Sequence, residues 1–328
     1  MRARYSRESV AYQDTERSDD FCEGQACASV AAVIVLYYPK PFLLSRLLES
    51  AMPQVARLFV VDNTPCWDNK LPEGLTHGTR KIVYHANGFN AGLASAQNNG
   101  IRRAIEDRFT HVLLLDQDSA LPKGAVEGLL AAERSLIARG CPVAAVGPLF
   151  IDEKSGRRSQ AVRQSGLRVR WQDISADETD PIETDYLIAS GSLIRTSVLR
   201  KVGYMRDELF IDWVDTEWSY RAKGLGLGAY VVPTVIMRHS IGDETKALLG
   251  KRIYLHSSTR NYYIVRNAIY LLQNPKMSWK WRVTMLIYVP KYVLVHSWLS
   301  RNRVSSLMQM LHGMRDGLMR KMKPYSSV

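Results

Sequence analysis

The sequence predicts an α/β fold built around a doubly wound sheet. Two apolar runs, residues 28–38 and 112–115, have the composition of strands that are buried on both faces. Residues 42–54 carry leucines at helical spacing and separate the first run from another strand pattern at residues 57–61. Polar and glycine-rich segments follow these strand patterns directly. In such sheets ligands bind beyond the carboxyl ends of the strands.

The chain divides into three parts by composition. Its 328 residues are 46% hydrophobic, which is enough for a sizeable core. Residues 1–27 are polar and charged, show no signal peptide and are predicted to have no fixed structure. Residues 28–245 are predicted to form the main domain, and residues 246–328 a helical, amphipathic extension. Four cysteines without zinc-site or disulfide-scaffold spacing favour a reducing cytoplasm.

The first half of the main domain continues the alternation. A short strand is predicted at residues 81–84 and a small-residue helix at residues 93–105. The segment between them, residues 87–92, is punctuated by glycine but lacks the spacing of a dinucleotide-binding or P-loop motif. Asp62, which ends the strand before it, can accept the N3 proton of a pyrimidine or a ribose hydroxyl. A turn held by its own side chains is the alternative for Asp62.

Two carboxylates, Asp116 and Asp118, end the apolar run at residues 112–115. If the strand continues through Gln117, alternation puts both side chains on one side, about 6.5–7 Å apart. Two anions so close together favour a divalent cation between them, and such a cation can carry a phosphorylated ligand. A solvated loop or a helix cap is the alternative for an Asp-x-Asp pair.

The second half of the main domain begins with a helix at residues 125–139 and a strand at residues 143–150. Residues 152–170 are polar, basic and glycine-rich, which predicts a loop or a hairpin. Residues 186–199 are predicted to form an apolar strand that small residues interrupt at Gly191. At that point either a ligand approaches the backbone or the strand forms a β-bulge.

A second cluster of acidic and aromatic residues follows. Asp215 lies near the first turn of a predicted helix, where a carboxylate can act as a general base on a substrate hydroxyl. A capped surface helix whose tryptophans pack on the core is the alternative. His239, at the end of a later strand, can add a nitrogen ligand to a magnesium or manganese site. Further candidates on the acceptor side are Asp212, Glu217, Trp218 and Arg221.

Six motifs lie in order along residues 29–243. They are Val-Val-Asp62-Asn, Asn87-Gly-Phe-Asn-Ala-Gly92, Leu-Leu-Leu-Asp116-Gln-Asp118-Ser, Gly191-Ser-Leu-Ile, Phe210-Ile-Asp-Trp-Val-Asp215-Thr-Glu-Trp and His239-Ser-Ile-Gly242. Together they resemble the motifs of family 2 glycosyltransferases. The Asp-Gln-Asp-Ser form of the third motif and the fifth motif, together with Arg260-Asn-Tyr-Tyr and Arg266-Asn, are most similar to bacterial rhamnosyltransferases.

This resemblance implies a GT-A-type mixed sheet with a Rossmann-like nucleotide-binding half and an acceptor-binding half. It implies that Asp62 contacts the pyrimidine or ribose and that Asp116 contacts the ribose or the metal. Asp118 would hold the divalent cation that bridges the donor diphosphate, and His239 the metal or diphosphate. Asp215 would be the base. Further donor contacts are implied at Asn90, Gly92 and Gly191.

Two departures from the family pattern affect these expectations. Val214 precedes Asp215 where many relatives have Glu, so Asp212 and Glu217 remain alternatives for the base. The Gln-x-x-Arg-Trp motif of processive relatives is missing from the sequence, which favours the addition of one or a few sugars.

The implied function is an inverting, Mg²⁺- or Mn²⁺-dependent transfer of L-rhamnose from dTDP-rhamnose to a saccharide, with a lipid-linked saccharide the expected acceptor. The process would be synthesis of bacterial surface polysaccharide or O-antigen. Alternatives are another donor, such as a UDP-hexose or UDP-galactofuranose, and a non-enzymatic nucleotide- or nucleic-acid-binding protein. A nucleic-acid partner is not expected, because the basic tail shows no nucleic-acid fold signature.

The carboxyl-terminal segment is strongly basic. Residues 275–328 hold ten basic residues and one acidic residue, which is +9 of the chain's net +12. Residues 285–299 are apolar but are too short and too polar to span a bilayer. They fit a helix at an anionic membrane surface, which places the protein in the cytoplasm, peripheral at the inner face of the membrane. A helical subdomain packed on the core or against a second copy in a homodimer is the alternative.

Overall fold

The computed structural model describes residues 28–65, 81–152, 156–239, 245–248 and 251–325. The predicted lead segment, residues 1–27, lies outside the described residues, so its lack of fixed structure stays a prediction. In chain order the strands are β1 (Val30–Leu36), β2 (Arg57–Asp62), β3 (Ile82–Ala86), β4 (His111–Asp116), β5 (Val143–Asp152), β6 (Ala161–Ser165), β7 (Arg168–Gln172), β8 (Ile182–Thr184), β9 (Leu193–Arg195), β10 (Gly228–His239), β11 (Thr245–Leu248) and β12 (Lys251–Tyr254).

Helices lie on both faces of the main sheet and at the carboxyl terminus. They are α1 (Pro41–Ala51), α2 (Leu93–Glu106), α3 (Ala125–Ala138), α4 (Thr196–Val202), α5 (Val214–Gly224), α6 (Ser258–Leu272), α7 (Trp279–Leu299) and α8 (Arg303–Leu318).

Eight strands form one mixed sheet in the order β3-β2-β1-β4-β9-β5-β10-β8. The first four are parallel, whereas β9 runs antiparallel between β4 and β5. Leu36 pairs with Asp62 and Val35 with Asp116, so both aspartates end their strands at the same edge, with β1 between them. The predicted α/β fold and the shared position of these two residues are confirmed.

Strand β1 shows why the sheet is buried on both faces. Ala31 and Val33 belong to one hydrophobic core, in which α2 and α5 also pack. Ile34 and Leu36 belong to the other core, which α1 and α3 cover. Because side chains alternate along a strand, a continuous apolar run supplies side chains to both cores. Each fully buried Val, Ile or Leu side chain contributes about 1.5–3 kcal/mol to the stability of the fold.

The predicted strand at residues 186–199 is wrong in extent. The chain turns after Ile188, where the Ser192 amide donates to the Ala189 carbonyl at 3.0 Å. Only residues 193–195 pair as β9, and α4 begins at Thr196, whose hydroxyl donates to the Phe109 carbonyl at 2.9 Å. The polar stretch that follows β5 contains the hairpin of β6 and β7.

The carboxyl-terminal region is helical, as predicted. Helices α6, α7 and α8 share a small core that includes Val265, Val289 and Met310. None of the helices in the described residues is long and apolar enough to cross a membrane. The predicted boundary at residue 245 falls at the start of the short hairpin of β11 and β12, and the residues before this hairpin and between its strands lie outside the described ranges. The division into domains therefore stays a prediction.

Candidate functional site

A cleft of about 770 Å³ lies at the carboxyl edge of the parallel strands and is closed on one side by α6 and α7. Val35 near the end of β1, Leu93 at the start of α2 and Tyr288 in the middle of α7 form part of its wall. The polar and charged lining residues are Asn63, Asn90, Gln97, Asp116, Gln117, Asp118, Asp212, Asp215, Thr216 and Arg260. The two acidic clusters recognised in the sequence thus meet in one cavity.

The Asp116–Asp118 segment is a turn and not an extended strand. Strand β4 ends at Asp116, and the Ser119 amide donates to the Asp116 carbonyl at 3.0 Å. Gln117 accepts from the Tyr37 amide at 2.8 Å and donates to the Tyr37 carbonyl at 3.1 Å. The chain therefore bends where alternation required extension, and the basis for a spacing of about 6.5–7 Å is wrong. Both aspartates nevertheless line the cleft.

Asp62 lies behind the cleft wall. Its side chain is only 1% exposed, and its two oxygens accept from the Thr64 amide at 2.8 Å and the Tyr84 hydroxyl at 3.0 Å. Burial, and then the Asp62 carboxylate, raises the pKa of the Tyr84 phenol. The turn held by its own side chain is therefore present, and Asn63 is the neighbour that reaches the cavity. The predicted contact of Asp62 with the base or ribose stays a prediction.

Of the two predicted donor contacts in this segment, Asn90 lines the cleft and Gly92 does not. The Asn90 side chain accepts from the Gly92 amide at 3.0 Å. Gly92 has φ +85°, and a Cβ atom there would lie 2.6 Å from the Phe210 ring. Glycine is therefore required at position 92 by its backbone conformation and by the close approach of Phe210.

Gly191 shapes the turn between β8 and β9. It has φ +75°, and a Cβ atom there would lie 2.6 Å from the Pro148 side chain. Its amide donates to the Leu114 carbonyl at 2.7 Å. Gly191 does not line the cleft, whereas Ile188 and Ala189 of the same turn do. The lack of a side chain at Gly191 leaves room for Pro148 and Met237, and its predicted contact with the donor stays a prediction.

Asp215 is the second residue of α5 and lines the cleft. Its oxygens accept from the Thr216 amide at 2.8 Å and the Ala189 amide at 3.2 Å. Burial raises the pKa of this carboxyl, and the negative charge of Asp212 raises it further against those two hydrogen bonds. No lysine or arginine among the described residues pairs with it. A partly desolvated carboxylate of raised pKa has the properties of a general base.

Asp212 has the opposite electrostatic environment. Arg260 of α6 donates to both of its oxygens, from Nε at 3.1 and 3.2 Å and from Nη2 at 3.0 Å. The guanidinium thus occupies both carboxylate oxygens, which leaves fewer lone pairs for a substrate hydroxyl than at Asp215. Of the two, Asp215 therefore fits the base better. Sequence reasoning missed this role of Arg260, because a separation of 48 residues leaves no local signal.

Glu217, Trp218 and Arg221 do not reach the cleft. Glu217 is fully buried and pairs with Arg206 at 2.7 Å and Arg221 at 3.0 Å. The Trp218 indole donates to the Gly203 carbonyl at 2.9 Å. Trp218 packs in the core, as the alternative of a capped surface helix expected. The cap itself is not observed, because no side chain makes a cap hydrogen bond at the start of α5, and Trp213 lines the cleft. Glu217 is therefore excluded as an alternative base on geometric grounds.

Few side chains in the described part of the chain are placed to act as metal ligands. His239 ends β10, where its backbone pairs with Asp152, but its side chain lies outside the described residues. Its predicted role as a ligand therefore stays a prediction. The described part of the chain contains no group of three or more His, Cys, Asp or Glu residues that could hold a metal. Asp116 and Asp118 do fit Mg²⁺ or Mn²⁺, because such ions commonly bind one or two carboxylates together with substrate phosphates and water.

Comparisons with known proteins agree with one another. No family model matches the chain. The dTDP-rhamnosyl transferase RfbF of Shigella flexneri is 31% identical over 304 residues, which are 89% of this chain and 96% of that protein. The low-salt glycan biosynthesis hexosyltransferase Agl10 of Haloferax volcanii is 23% identical over 230 residues, or 68% of this chain and 71% of that protein.

Two solved structures share the fold. A structure of S. aureus TarS in complex with UDP-GlcNAc has a TM-score of 0.53 and 13% identity, covering 90% of this chain and 82% of that chain. A structure of GalNAc-T7 with UDP, GalNAc and Mn²⁺ has a TM-score of 0.54 and 15% identity, covering 88% of this chain. The chain spans only 57% of the GalNAc-T7 chain.

Proposed function

The chain belongs to the family 2 glycosyltransferases and has the GT-A fold, and from this membership we propose that it transfers L-rhamnose from dTDP-rhamnose to a saccharide. The acceptor would be a lipid-linked intermediate of bacterial surface polysaccharide, such as O-antigen. The observation that supports this most is the single cleft in which Asp116 and Asp118 face Asp215. Identity with a dTDP-rhamnosyl transferase over 89% of the chain supports the choice of donor.

In this proposal the donor diphosphate lies beside Asp116 and Asp118. Mg²⁺ or Mn²⁺ bound there would offset the charge that develops on the departing dTDP. The chain holds the turn in place for this task, because Gln117 is bonded to the Tyr37 backbone on both its amide oxygen and its amide nitrogen. His239 would be a further ligand.

Asp215 would act on the other side of the sugar. It accepts the proton of the acceptor hydroxyl while the hydroxyl oxygen attacks the anomeric carbon. The bond from that carbon to the diphosphate oxygen breaks, and its electron pair leaves with dTDP. Because the attack comes from the face opposite the leaving group, the configuration inverts and no covalent sugar–enzyme intermediate forms. The raised pKa of Asp215 is suited to this step, since a stronger base takes the proton more readily.

Release of nucleoside diphosphate from a panel of nucleotide sugars tests this function. The full-length protein, Mn²⁺ or Mg²⁺ and extracts of candidate lipid-linked saccharides would be incubated with dTDP-rhamnose, UDP-glucose, UDP-galactose and UDP-galactofuranose. We expect release with dTDP-rhamnose, and its loss in the presence of EDTA. Release from only a uridine sugar would contradict the donor assignment, and full turnover in EDTA the metal requirement. Binding of DNA without any transfer would favour the non-enzymatic alternative.

We also propose that α7 and α8 bind an anionic membrane surface. Leu294 and Trp298 of α7 are 71% and 55% exposed, and Val304 of α8 is 73% exposed. Lys291, Arg301 and Arg303 are near them in the sequence and are also exposed, and residues 275–328 carry a net +9. Exposed apolar residues on a basic segment suit acidic lipid headgroups and would bring the cleft to a lipid-linked acceptor. A second copy of the chain is the alternative occupant of this face.

Vesicle flotation tests this surface. We expect the protein to float with phosphatidylglycerol vesicles and not with phosphatidylcholine vesicles. The double variant Leu294→Ser, Trp298→Ser should remain in the lower fraction, whereas the matched variant Leu167→Ser, Trp171→Ser on the exposed β6–β7 hairpin should float. If neither vesicle binds, or if the double variant floats like the parent, the proposal is wrong. A concentration-dependent dimer that only the α7 variant dissociates would instead assign the face to a second copy.

A further inference from the structure

Five consecutive carbonyl groups are held in the loop that presents Asp212 to the cleft. We call residues 208–213 the acidic loop. Two neighbours on α6 bind four of the carbonyls: Arg266 donates to those of residues 208 and 209, at 3.0 and 3.1 Å. Asn267 donates to those of residues 209, 211 and 212, at 2.8, 2.8 and 3.1 Å. The fifth, of Phe210, accepts from the first amide of α2, that of Leu93, at 2.6 Å.

The acidic loop needs these contacts because its backbone is strained. Phe210, Asp212 and Trp213 have φ of +64°, +61° and +64°, although none of them is glycine. Residues other than glycine are uncommon in the left-handed region, and such a strained conformation persists only where the surroundings hold it in place. The strained positions lie directly before α5, which carries Asp215. The conformation of the loop thus determines where the first turn of α5 begins.

Phe210 extends the same arrangement to the donor side of the cleft. The Phe210 ring stacks on the Tyr263 ring, with 4.8 Å between the centroids. The Arg266 guanidinium lies 4.7 Å from the centroid of the same Tyr263 ring. The backbone of Gly92 packs so closely on Phe210 that a Cβ atom would clash. The residues of α6, the acidic loop and the start of α2 therefore form one packed unit.

Burial of the Arg266 guanidinium in α6 is energetically unfavourable. The Arg266 side chain is 0% exposed, and burial lowers its pKa. Its guanidinium binds carbonyls and the Asn267 amide oxygen, and no described carboxylate pairs with it. A buried cation without a carboxylate is costly unless all its donors are satisfied. The guanidinium uses its donors to bind the carbonyls of residues 208 and 209 in the acidic loop and the carbonyl of Lys323. Holding these carbonyls in place is therefore the reason we infer for a buried arginine at this position.

We propose that Arg266 and Asn267 are positioning residues of the transfer reaction, which act by holding the acidic loop so that Asp215 meets the acceptor opposite the donor diphosphate. This inference rests on the proposed role of Asp215. It makes the carboxyl-terminal helices part of the catalytic apparatus. Arg260 of the same helix adds the contact to the Asp212 carboxylate.

Asn267→Asp tests the proposal. Aspartate has the same shape and can still accept from Arg266, but it cannot donate to the three carbonyls. We expect kcat with dTDP-rhamnose to fall about 100-fold, since a displacement near 1 Å costs about that much. The KM for the donor and the affinity for dTDP, measured by calorimetry, should stay within about threefold, because Asp116 and Asp118 are untouched.

Gln273→Ala is the matched control. Gln273 directly follows the last residue of α6, and its amide donates to the Gly317 carbonyl of α8 at 2.8 Å, away from the acidic loop. We expect a similar change in melting temperature and an unchanged kcat. If Asn267→Asp does not fold, Asn267→Ser replaces it. Serine keeps one hydrogen-bond donor, so we expect kcat to fall by a smaller factor.

The pH profile separates positioning from a merely structural role. Asp212 and Tyr186 are the ionisable groups that face Asp215, and burial is the main reason for its raised pKa. A loosened loop admits water, so the acid limb of kcat should move to lower pH in the uncharged variant Asn267→Ser and remain in place in Gln273→Ala. Asn267→Asp adds a carboxylate whose negative charge opposes that shift, so it is used for kcat and not for the pH profile. Parental kcat and an unmoved limb in a folded Asn267 variant would overturn the proposal. Parental activity of Asp215→Asn would instead refute the proposed base and leave the donor assignment standing.

Discussion

Asp215→Asn is expected to lower kcat for sugar transfer by about 10²–10⁴-fold, the usual contribution of a general base. Asparagine has nearly the same shape and can accept one of the two amide hydrogen bonds that Asp215 receives from Ala189 and Thr216. It cannot accept the proton of the acceptor hydroxyl. The dissociation constant for dTDP should be unchanged, because Asp215 contributes nothing to the donor edge.

The pH dependence of the parent enzyme gives an independent measure of the same group. A general base works only when it is ionised, so activity is lost as the pH falls through its pKa. Burial and the Asp212 charge raise the pKa of Asp215, so the acid limb of kcat/KM should lie above the ordinary value of 3.8. This limb should be missing from the residual activity of Asp215→Asn.

Asp107→Asn is the control for the Asp215 variant. Asp107 pairs with Arg57 on the surface, at the far end of α2 from the cleft, and we expect parental kinetics there. If Asp215→Asn is folded by circular dichroism and retains more than about a tenth of the parental kcat, the base is another group. Asp212 would be the next candidate, since it is the other carboxylate near the start of α5 that lines the cleft.

The fold was predictable because its signals are local. Val30–Leu36 and His111–Asp116 are apolar on both alternating sets of positions, and only a strand between two helical layers buries both. Residues 186–199 misled the same reasoning, since an equally apolar run turns at Ala189–Ser192 and then becomes helix. There the hydroxyls of Ser192 and Thr196 satisfy backbone carbonyls, and tertiary contacts override the strand pattern.

The site was predictable only as a set of residue types. The carboxyl-terminal ends of β2 and β4 had to meet, because parallel strands share an edge. Two positions along α5 decide whether an acidic side chain faces the cleft. Asp215 lines the cleft, whereas Glu217 is buried in an ion pair. Arg260, Arg266 and Asn267 act on the acidic loop from about 50 residues away, and no pattern along the chain encodes that contact.

The acidic groups at and behind the cleft have different environments, and the tasks proposed for them follow from those differences. Asp62 is buried and satisfied by Thr64 and Tyr84, and Asp212 is bound by Arg260. Asp215 is desolvated without a cationic partner among the described residues. Asp118 is exposed on the cleft wall and has no described hydrogen bond. Its carboxylate is thus accessible from the cleft, as the proposed role in binding the cation of the donor diphosphate requires.

Asp118→Asn is expected to abolish the metal-dependent part of the reaction, with a fall in kcat/KM of about 10²–10⁴-fold, or several kcal/mol at about 1.4 kcal/mol per tenfold. The amide is a neutral and weaker ligand for a hard cation. Calorimetric titration of Mn²⁺ into protein saturated with dTDP measures this directly and does not depend on turnover. We expect binding to weaken in Asp118→Asn and to remain parental in Asp215→Asn.

The two variants together decide how the cleft is divided. If Asp118 serves the donor and Asp215 the acceptor, the first variant loses Mn²⁺–dTDP affinity together with catalysis, and the second loses catalysis alone. Because Asp118 is exposed, its variant should melt with the parent, so a loss of activity cannot come from unfolding. Parental Mn²⁺ binding and turnover in Asp118→Asn would remove this residue from the donor site. The cation would then depend on Asp116 and on the side chain of His239.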